Sequence, residues 1–307
     1  MKRNNSIRKI AIIGGTGLIG KALAYKLMEE NYWPIIITRN IQKVSPEFEA
    51  RQWNGKSAEE LANIINGCYA VVNLGGESIA SGLWTPSRKR RLLTSRYNTT
   101  KNLVLALALL HHKPEILLQG SAIGIYGAKT WDADEQTATG KGFLANLATL
   151  WESAAQKAET LGVRTVYLRT GLVLSNNGGA FPKILTPFKY FLGGNMGSDK
   201  RVIPWIHIDD EVHATVFLLN NANAKGAFNL VAPEKTSQQQ FNGLVAKKLH
   251  RPFWLHIPAF VFLLLPGQMG KEIFLANQHI KPTALQQLGF KFNFNTASDA
   301  IENLISC

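Results

Sequence analysis

Short apolar runs alternate with amphipathic stretches through the first 175 residues of the chain. The apolar runs predict five buried strands, at residues 9–13, 34–40, 69–76, 115–127 and 163–174. Between them, hydrophobic residues recur at helical spacing, as with Leu23, Leu27 and Met28, and further helices are predicted around residues 57–66, 86–111 and 141–161. Because strands and helices alternate through short connections, we expect a parallel sheet covered on both faces.

After residue 175 the pattern becomes less regular. The stretches SNNGGAFPK and FLGGNMGSDKR are typical of loops, and VIPWIHIDDEVHATVFLLNN predicts a strand that runs into a helix. Residues 232–307 are expected to form a helical, aromatic-rich tail. We therefore predict a first domain from residues 1–175, rejoined by 202–231, and a smaller substrate-side domain from 176–201 and 232–307. The smaller domain should lie over the carboxyl ends of the strands and form a cleft.

Composition limits the class of protein. A chain of 307 residues with 46% hydrophobic and 18% charged residues can bury a large core. The longest apolar run, Phe253 to Leu265, is interrupted by His256 and Pro258. As a helix it would reach ~20 Å, short of the ~30 Å hydrocarbon core of a membrane. The amino terminus has no apolar stretch of signal-peptide length. We expect a cytoplasmic protein without a membrane partner.

Neither the cysteines nor the net charge identifies a partner. Cys68 and Cys307 are far apart, so neither a disulfide framework nor a metal site is predicted. The formal net charge of +13 includes a cluster at residues 88–91, for which a solvated helix face is one interpretation. No nucleic-acid-binding signature accompanies it, so we expect no nucleic-acid partner. Attraction of a polyanionic cofactor or substrate accounts for the sign of the charge.

A glycine-rich turn follows the first predicted strand. Gly14, Gly17 and Gly20 lie in the stretch GGTGLIG, directly before the first amphipathic helix. In a dinucleotide-binding turn the first glycine permits the tight turn, the second lets the backbone approach a pyrophosphate, and the third allows close helix packing. The free N–H groups of the helix start then bind the phosphates. The strand before the turn and the helix after it favour this interpretation over an ordinary strand–turn–helix.

The end of the second strand indicates which dinucleotide is bound. NAD enzymes usually place an Asp or Glu there to hold the ribose 2′-hydroxyl, whereas this chain has Thr38 and Arg39. A guanidinium suits the 2′-phosphate of NADP(H), although Arg39 as a plain surface residue is the alternative. We predict NADP(H) as the cofactor. The residues predicted to bind it are Gly14, Thr16, Gly17, Leu18, Ile19, Thr38, Arg39, Leu74, Gly75, Arg96 and Val173.

Several motifs resemble those of a known family. The glycine-rich turn, SAIGIYG at 121–127, YLRTGLVL at 167–174 and WIHIDDEV at 205–212 are similar to the extended short-chain dehydrogenase/reductases, the nucleotide-sugar epimerase and dehydratase superfamily. NLGGESI, SRYNTT, FLANLATLWE and KPTALQQLGFKF resemble its atypical epimerase-family members, which bind NADP and whose substrate is generally not known. The resemblance spans essentially the whole chain. It implies a Rossmann-type doubly wound parallel α/β sheet and a cleft for a small polar substrate.

The catalytic pattern of that superfamily is missing. Ordinary members carry a Tyr-x-x-x-Lys pair followed four residues later by a Glu; if Glu152 is that Glu, Leu144 and Ala148 occupy the Tyr and Lys positions. The usual catalytic Ser or Thr falls on Ala122, with Ser121 one place early. The usual helix-borne Asn falls on Arg96, whose fork suits a phosphate or an adenine face of the cofactor.

A proton donor must therefore come from elsewhere if hydride transfer occurs. The candidates are Ser121, Tyr126, His207 and Asp209. Each has a structural alternative, because Ser121 and Tyr126 can shape a loop, and His207 with Asp209 can cap a helix. Two functions stay open: an NADP-dependent oxidoreductase or epimerase-like enzyme acting on a small polar substrate, and a catalytically silent NADPH-binding sensor or regulator. Either a monomer or a homodimer fits the sequence.

Overall fold

The computed structural model describes residues 7–264 and 267–305, with only the backbone of residues 262 and 263. The strands are β1 Lys9–Ile13, β2 Trp33–Thr38, β3 Glu49–Gln52, β4 Ala70–Asn73, β5 Ile116–Ala122, β6 Lys129–Ala133, β7 Arg164–Thr170, β8 Leu172–Leu174, β9 Gly193–Met196, β10 Trp205–His207, β11 Gly226–Leu230, β12 Phe253–Ile257 and β13 Asn277–Ile280. The helices are α1 Leu18–Glu29, α2 Ala58–Ile65, α3 Pro86–Leu109, α4 Phe143–Gln156, α5 Phe181–Lys189, α6 Ile208–Asn220, α7 Gln238–Leu249, α8 Ala259–Leu264, α9 Gly267–Met269, α10 Thr283–Gln287 and α11 Ala297–Ile305.

A seven-stranded sheet forms the centre of the protein, in the order β11-β7-β5-β4-β1-β2-β3. Every neighbouring pair in it is parallel. Strand order reverses between β1 and β4, since the chain builds outward from β1 through β2 and β3 and then returns to add β4. In doubly wound sheets a ligand-binding crevice lies at this point, outside the carboxyl ends of the strands.

Helices cover both faces of the sheet, as the alternation within β1 illustrates. Ile10 and Ile12 belong to a hydrophobic cluster that also contains Leu27 of α1 and residues of α6. Ala11 and Ile13 belong to a second cluster with residues of α2, α3 and α4. Because successive side chains of a strand point to opposite faces, each strand supplies both clusters. The predicted doubly wound α/β fold is confirmed.

A further hydrophobic cluster is formed by segments that lie between β7 and β11 and after β11 in sequence. It contains Phe181 of α5, Phe241 of α7, Ile301 of α11 and Trp205 of β10, which is 1% exposed. Three short parallel ribbons accompany it, formed by β8 with β10, β9 with β12, and β6 with β13. The division into two domains at these segments stays a prediction.

Several predicted elements need correction. The sequence pattern did not predict β3 or β11; β3 has the polar sequence EARQ, and its side chains are half-buried or exposed at the edge of the sheet. The tail after residue 232 is not purely helical, because it contains β12 and β13. Pro258 divides its apolar run into β12 and α8, since proline cannot continue a strand or the interior of a helix. The helix predicted over 141–161 ends at Gln156.

Candidate functional site

The turn after β1 meets the end of β4 at the point where strand order reverses. Gly14 has φ +83°, and a Cβ atom added to it would lie 2.9 Å from the backbone of Leu74 and 3.0 Å from the nitrogen of Gly75. Only glycine fits here, both because of its positive φ and because of this close approach. The structure therefore brings together three of the predicted cofactor-binding residues at the expected crevice.

The other two glycines of the turn have different surroundings. A Cβ atom on Gly20 would lie 2.5 Å from Gly14 O and 2.7 Å from Gly15 Cα, so Gly20 is required for packing the helix on the turn. A Cβ atom on Gly17 would meet only Gly14 O, at 3.2 Å, and space is open on its other side. Gly17 is also the N-cap of α1, where the first N–H groups have no partner within the helix. This cradle fits a pyrophosphate.

A glycine-rich loop after β8 lies against the start of α1. Cβ atoms added to Gly178 and Gly179 would lie 3.9 Å and 2.9 Å from the side chain of Leu18. Leu18, Ile19 and Val173 are all half-buried. The loop thus partly covers the helix start, and it joins the β8 segment to the crevice.

The end of β2 carries a free cation. Thr38 Oγ1 accepts a hydrogen bond from the N–H of Asn40 at 3.2 Å, which shapes the turn. Arg39 is exposed, and no carboxylate among the described residues forms an ion pair with it. Lys21 and Lys43 line a small cavity together with Thr16. Sequence reasoning missed these two lysines, although Lys43 lies on the loop that directly follows Arg39.

Arg96 lies on α3 beside the loop that follows β4. Its Nη2 donates to Glu77 O at 3.0 Å and its Nη1 to Leu92 O at 3.3 Å, and its guanidinium carbon lies 5.0 Å from the ring centre of Trp151. Burial lowers the pKa of Arg96 to about 10, which still leaves a cation at neutral pH. Both terminal nitrogens are used within the protein, so a contact from Arg96 to the cofactor stays a prediction.

Ser121 lies near the carboxyl end of β5 and contacts an ion pair between the buried Arg169 and the half-buried Glu152. Its hydroxyl donates to Glu152 Oε1 at 2.6 Å. Arg169 donates to both carboxylate oxygens of Glu152, from Nε and Nη2, each at 2.9 Å. Such bidentate, charge-assisted bonds hold a carboxylate firmly in one orientation. Sequence reasoning named Ser121 but missed Arg169, because the pairing joins β7 to α4 across the fold.

The hydroxyl of Tyr126 is buried. Tyr126 is 3% exposed, its hydroxyl donates to Asn229 Oδ1 at 2.8 Å, and it accepts from Arg169 Nη1 at 2.8 Å. Burial raises the pKa of Tyr126, and the nearby guanidinium of Arg169 opposes this shift. With both partners inside the protein, this hydroxyl is a poorer candidate for a proton donor than Ser121.

His207 is the N-cap of α6. Its Nδ1 accepts a hydrogen bond from the N–H of Asp209 at 3.1 Å, and its ring stacks on Phe294 with 3.8 Å between the ring centres. Burial lowers the pKa of His207, so the ring is neutral near pH 7. Of the two interpretations of this residue, the helix cap is the one that the geometry supports.

Apolar contacts surround the positions of the missing tyrosine and lysine. Leu144 is half-buried in a cluster with Trp84, Met269 and Ile273, and Ala148 is buried in another. The carboxylate of Glu272 accepts hydrogen bonds from the N–H groups of the first turn of α4, at 2.9 Å and 2.8 Å. A segment near the carboxyl terminus therefore caps the helix that carries the catalytic pair in ordinary members.

Leu144→Ala is expected to reduce stability more than it affects cofactor binding. Because Leu144 is only half-buried, the loss should be roughly 1–2 kcal/mol, below the ~2–5 kcal/mol for a fully buried leucine. Leu147→Ala, one position from Ala148 and 4% exposed, provides the matched comparison. Urea unfolding measures both losses; a larger loss for Leu144→Ala would contradict the packing described.

A fully buried carboxyl group on α6 was not predicted. Glu211 is 0% exposed, and its Oε1 accepts a hydrogen bond from the Thr170 hydroxyl at 2.7 Å, whereas its Oε2 has no partner among the described residues. Burial raises the pKa of Glu211 to about 8. In the sequence this residue is the third acid of DDE at a helix start, a pattern more typical of an exposed first turn.

Neither a candidate metal site nor a membrane-crossing helix is found in the described part of the chain. No group of three or more His, Cys, Asp or Glu side chains in residues 7–264 and 267–305 is arranged so that it could hold a metal ion. Over the same residues, each helix is too short or too polar to cross a bilayer. Cys68 is buried, and burial raises the pKa of its thiol to about 11. Cys307 lies outside the described residues.

Comparison with known proteins identifies a family. Residues 10–231 match the NAD dependent epimerase/dehydratase family, and residues 257–304 match a domain of unknown function, DUF1731. The epimerase family protein SH2119 of Staphylococcus haemolyticus is 36% identical over 303 residues, covering 97% of this chain and 99% of that protein. The epimerase family protein YfhF of Bacillus subtilis is 33% identical over 304 residues, covering 97% and 98%.

A solved structure resembles the whole chain. It is the human epimerase family protein SDR39U1, isoform 2, crystallised with NADPH. The two chains share 28% identity and a TM-score of 0.87, over 97% of this chain and 99% of the human one. The similarity thus extends over both the sheet and the carboxyl-terminal segments.

Proposed function

The chain belongs to the NAD-dependent epimerase/dehydratase family, and on that premise we propose that it is an NADP(H)-dependent oxidoreductase or epimerase-like enzyme acting on a small polar substrate. The cofactor assignment rests on two features that occur together. One is the pyrophosphate cradle at Gly17, and the other is Arg39 at the end of β2, an exposed cation with no carboxylate partner among the described residues. The NADPH in the related human structure supports the same choice.

Each residue of the cradle has a role. The N–H groups at the start of α1 bind the pyrophosphate, and Gly14 holds the turn against Leu74 and Gly75. Arg39 binds the 2′-phosphate, with Thr38 shaping the turn that presents it. The cofactor, when bound, exchanges a hydride with the substrate.

The protein supplies the proton path without a tyrosine–lysine pair. Ser121 accepts the proton of a substrate hydroxyl on its Oγ while its own proton passes to Glu152, with which it already makes a 2.6 Å hydrogen bond. Arg169 holds that carboxylate in one orientation through two hydrogen bonds, so that it can accept the proton.

Arg39→Ala is expected to weaken NADPH binding by roughly ten- to a hundredfold and to leave NADH binding nearly unchanged. Charge-assisted hydrogen bonds to the 2′-phosphate are worth ~1.5–3 kcal/mol, and NADH lacks that group. Isothermal titration of both cofactors measures the change, and Arg51→Ala, an exposed arginine of β3, is the control. Equal losses for the two cofactors would show that Arg39 does not discriminate between them.

Ser121→Ala is expected to lower turnover at least tenfold with NADP⁺ and an alcohol identified from a metabolite panel, while cofactor affinity stays the same. Ser153→Ala, an exposed serine of α4, should turn over as the wild type does. Turnover of Ser121→Ala at the wild-type rate would remove Ser121 from the proton path.

A catalytically silent NADPH-binding sensor or regulator is the second candidate. The apolar side chains of Leu144 and Ala148, together with the buried hydroxyl of Tyr126, favour it. The panel separates the two functions. NADPH that binds tightly but is neither oxidised nor formed with any carbonyl or alcohol substrate would support the sensor.

A further inference from the structure

Large apolar side chains are exposed together on the ribbon formed by β9 and β12 and on the segments next to it. We call these residues the apolar ribbon surface, and each is at least 51% exposed: Tyr190, Phe191, Leu192, Trp254, Phe260 and Leu264. Scattered single apolar residues are ordinary on a protein surface, but a concentration of this kind marks a site of contact.

The pairing of β9 with β12 connects the parts of the apolar ribbon surface. Trp254 Nε1 donates to Phe191 O at 3.1 Å, which fixes the indole beside the loop that precedes β9. Gly193 pairs with Phe253, so the two strands start side by side. Both strands run in the same direction, and α8 with Phe260 and Leu264 follows the end of β12 directly. At ~3.3 Å per strand residue, the surface extends for roughly 15 Å from the loop to α8.

Exposed basic side chains lie in the same two stretches of chain as this surface. Residues 160–198 and 235–271, which contain all of its members, include no Asp or Glu. Lys183, Lys189, Lys247, Arg251 and Lys271 within these stretches are exposed. The guanidinium carbon of Arg251 lies 4.6 Å from the ring centre of Phe191, so apolar and basic groups are in direct contact. These two stretches of chain therefore carry positive charge and no carboxylate.

We propose that the apolar ribbon surface docks on an anionic phospholipid bilayer. Exposed Trp and Tyr side chains are suited to the headgroup level of a membrane, and neighbouring Lys and Arg side chains attract anionic lipids. A second copy of this chain fits less well, because a symmetric contact would bring the basic side chains of two such stretches together. The protein lies on the bilayer and does not span it. The expectation of no membrane partner rested on the absence of a spanning segment alone.

Vesicle co-sedimentation of the full chain tests this surface. We expect binding to vesicles of phosphatidylglycerol and phosphatidylcholine in equal parts, weakened by salt, and little binding to phosphatidylcholine alone. Trp254→Glu should lower the partition coefficient roughly tenfold or more, because it removes an apolar anchor and adds a negative charge. Arg251→Glu should lower it roughly fivefold or more through charge alone.

Trp131→Glu is the matched control, since Trp131 is 59% exposed but lies outside the apolar ribbon surface, on β6. Circular dichroism verifies that all three variants are folded. The proposal is overturned if the wild type does not bind the anionic vesicles, or if Trp254→Glu and Trp131→Glu bind equally well. A dimer in light scattering that Trp254→Glu dissociates would assign the surface to a second copy instead. A photo-crosslinker at position 254 that captures an acidic protein and no lipid would assign it to a protein partner.

Discussion

Gly17→Val is expected to bind neither NADPH nor NADH while it stays folded. Its backbone angles, φ −75° and ψ 170°, are open to any residue, and inside the protein an added Cβ would meet only Gly14 O at 3.2 Å. The valine side chain would instead occupy the open side of the turn, where the pyrophosphate approaches the start of α1. We expect an affinity loss of more than about a hundredfold for either cofactor, equivalent to roughly 3 kcal/mol.

Gly20→Val is the comparison that separates binding from folding. An added Cβ there would lie 2.5 Å from Gly14 O and 2.7 Å from Gly15 Cα, so the backbone would have to move. We expect a stability loss of roughly 1–3 kcal/mol or more, seen as a lower melting temperature. If Gly17→Val retains cofactor affinity, the turn serves only the fold.

Stability should fall as pH rises, because of Glu211. The pKa of this buried carboxyl is raised from 4.5 to about 8, so between these values the folded protein keeps a proton that the unfolded chain releases. The stabilisation of the folded protein by protonated Glu211 is therefore complete below pH 4.5 and is lost as pH rises through 8. A shift of this size corresponds to at most roughly 5 kcal/mol, since one pKa unit is ~1.4 kcal/mol.

Glu211→Gln should remove this pH dependence. The amide keeps an acceptor for the Thr170 hydroxyl but cannot ionise. We expect the unfolding free energy of the wild type to fall relative to the variant by several kcal/mol between about pH 5 and pH 9. Glu29→Gln, a substitution at an exposed glutamate of α1, should leave the wild-type profile unchanged. Parallel profiles for the wild type and Glu211→Gln would show that Glu211 ionises normally in the folded protein.

The sheet and its glycine-rich turn could be predicted because their signals are local. The runs that form β1 and β4 are apolar at every position but one, and apart from the exposed Lys9 both strands are buried within the sheet. The spacing of Gly14, Gly17 and Gly20 has a steric cause that holds wherever a strand, turn and helix follow one another. The family and the fold class predicted from the sequence are confirmed.

The strands that the sequence pattern did not predict depend on contacts between residues distant in sequence. β3 is polar and is held at the sheet edge by its pairing with β2, so its sequence carries little strand signal. The run from Phe253 divides into strand and helix at Pro258, and β12 forms because β9, some 60 residues earlier, pairs with it. Neither partner is visible in a local pattern.

The candidate site was predictable as a set of residues but not as a set of contacts. Ser121 and Tyr126 are five residues apart, yet one hydroxyl donates to Glu152 and the other to Asn229. Arg169 contacts both networks from β7, and nothing in the sequence near Ser121 indicates it. Burial likewise raises the pKa of Glu211. The acidic run DDE does not show which of its residues is buried, since Glu211 is buried and Asp209 is exposed.

Calorimetric titration of the purified wild-type chain with NADPH and with NADH, at one ionic strength, tests the central claim most directly. The Gly17 cradle predicts binding of a dinucleotide, and the unpaired Arg39 predicts that NADPH binds at least tenfold more tightly than NADH. Fixed ionic strength matters because the interaction with the 2′-phosphate is screened by salt. No heat of binding with either dinucleotide, or equal affinity for the two, would contradict the account.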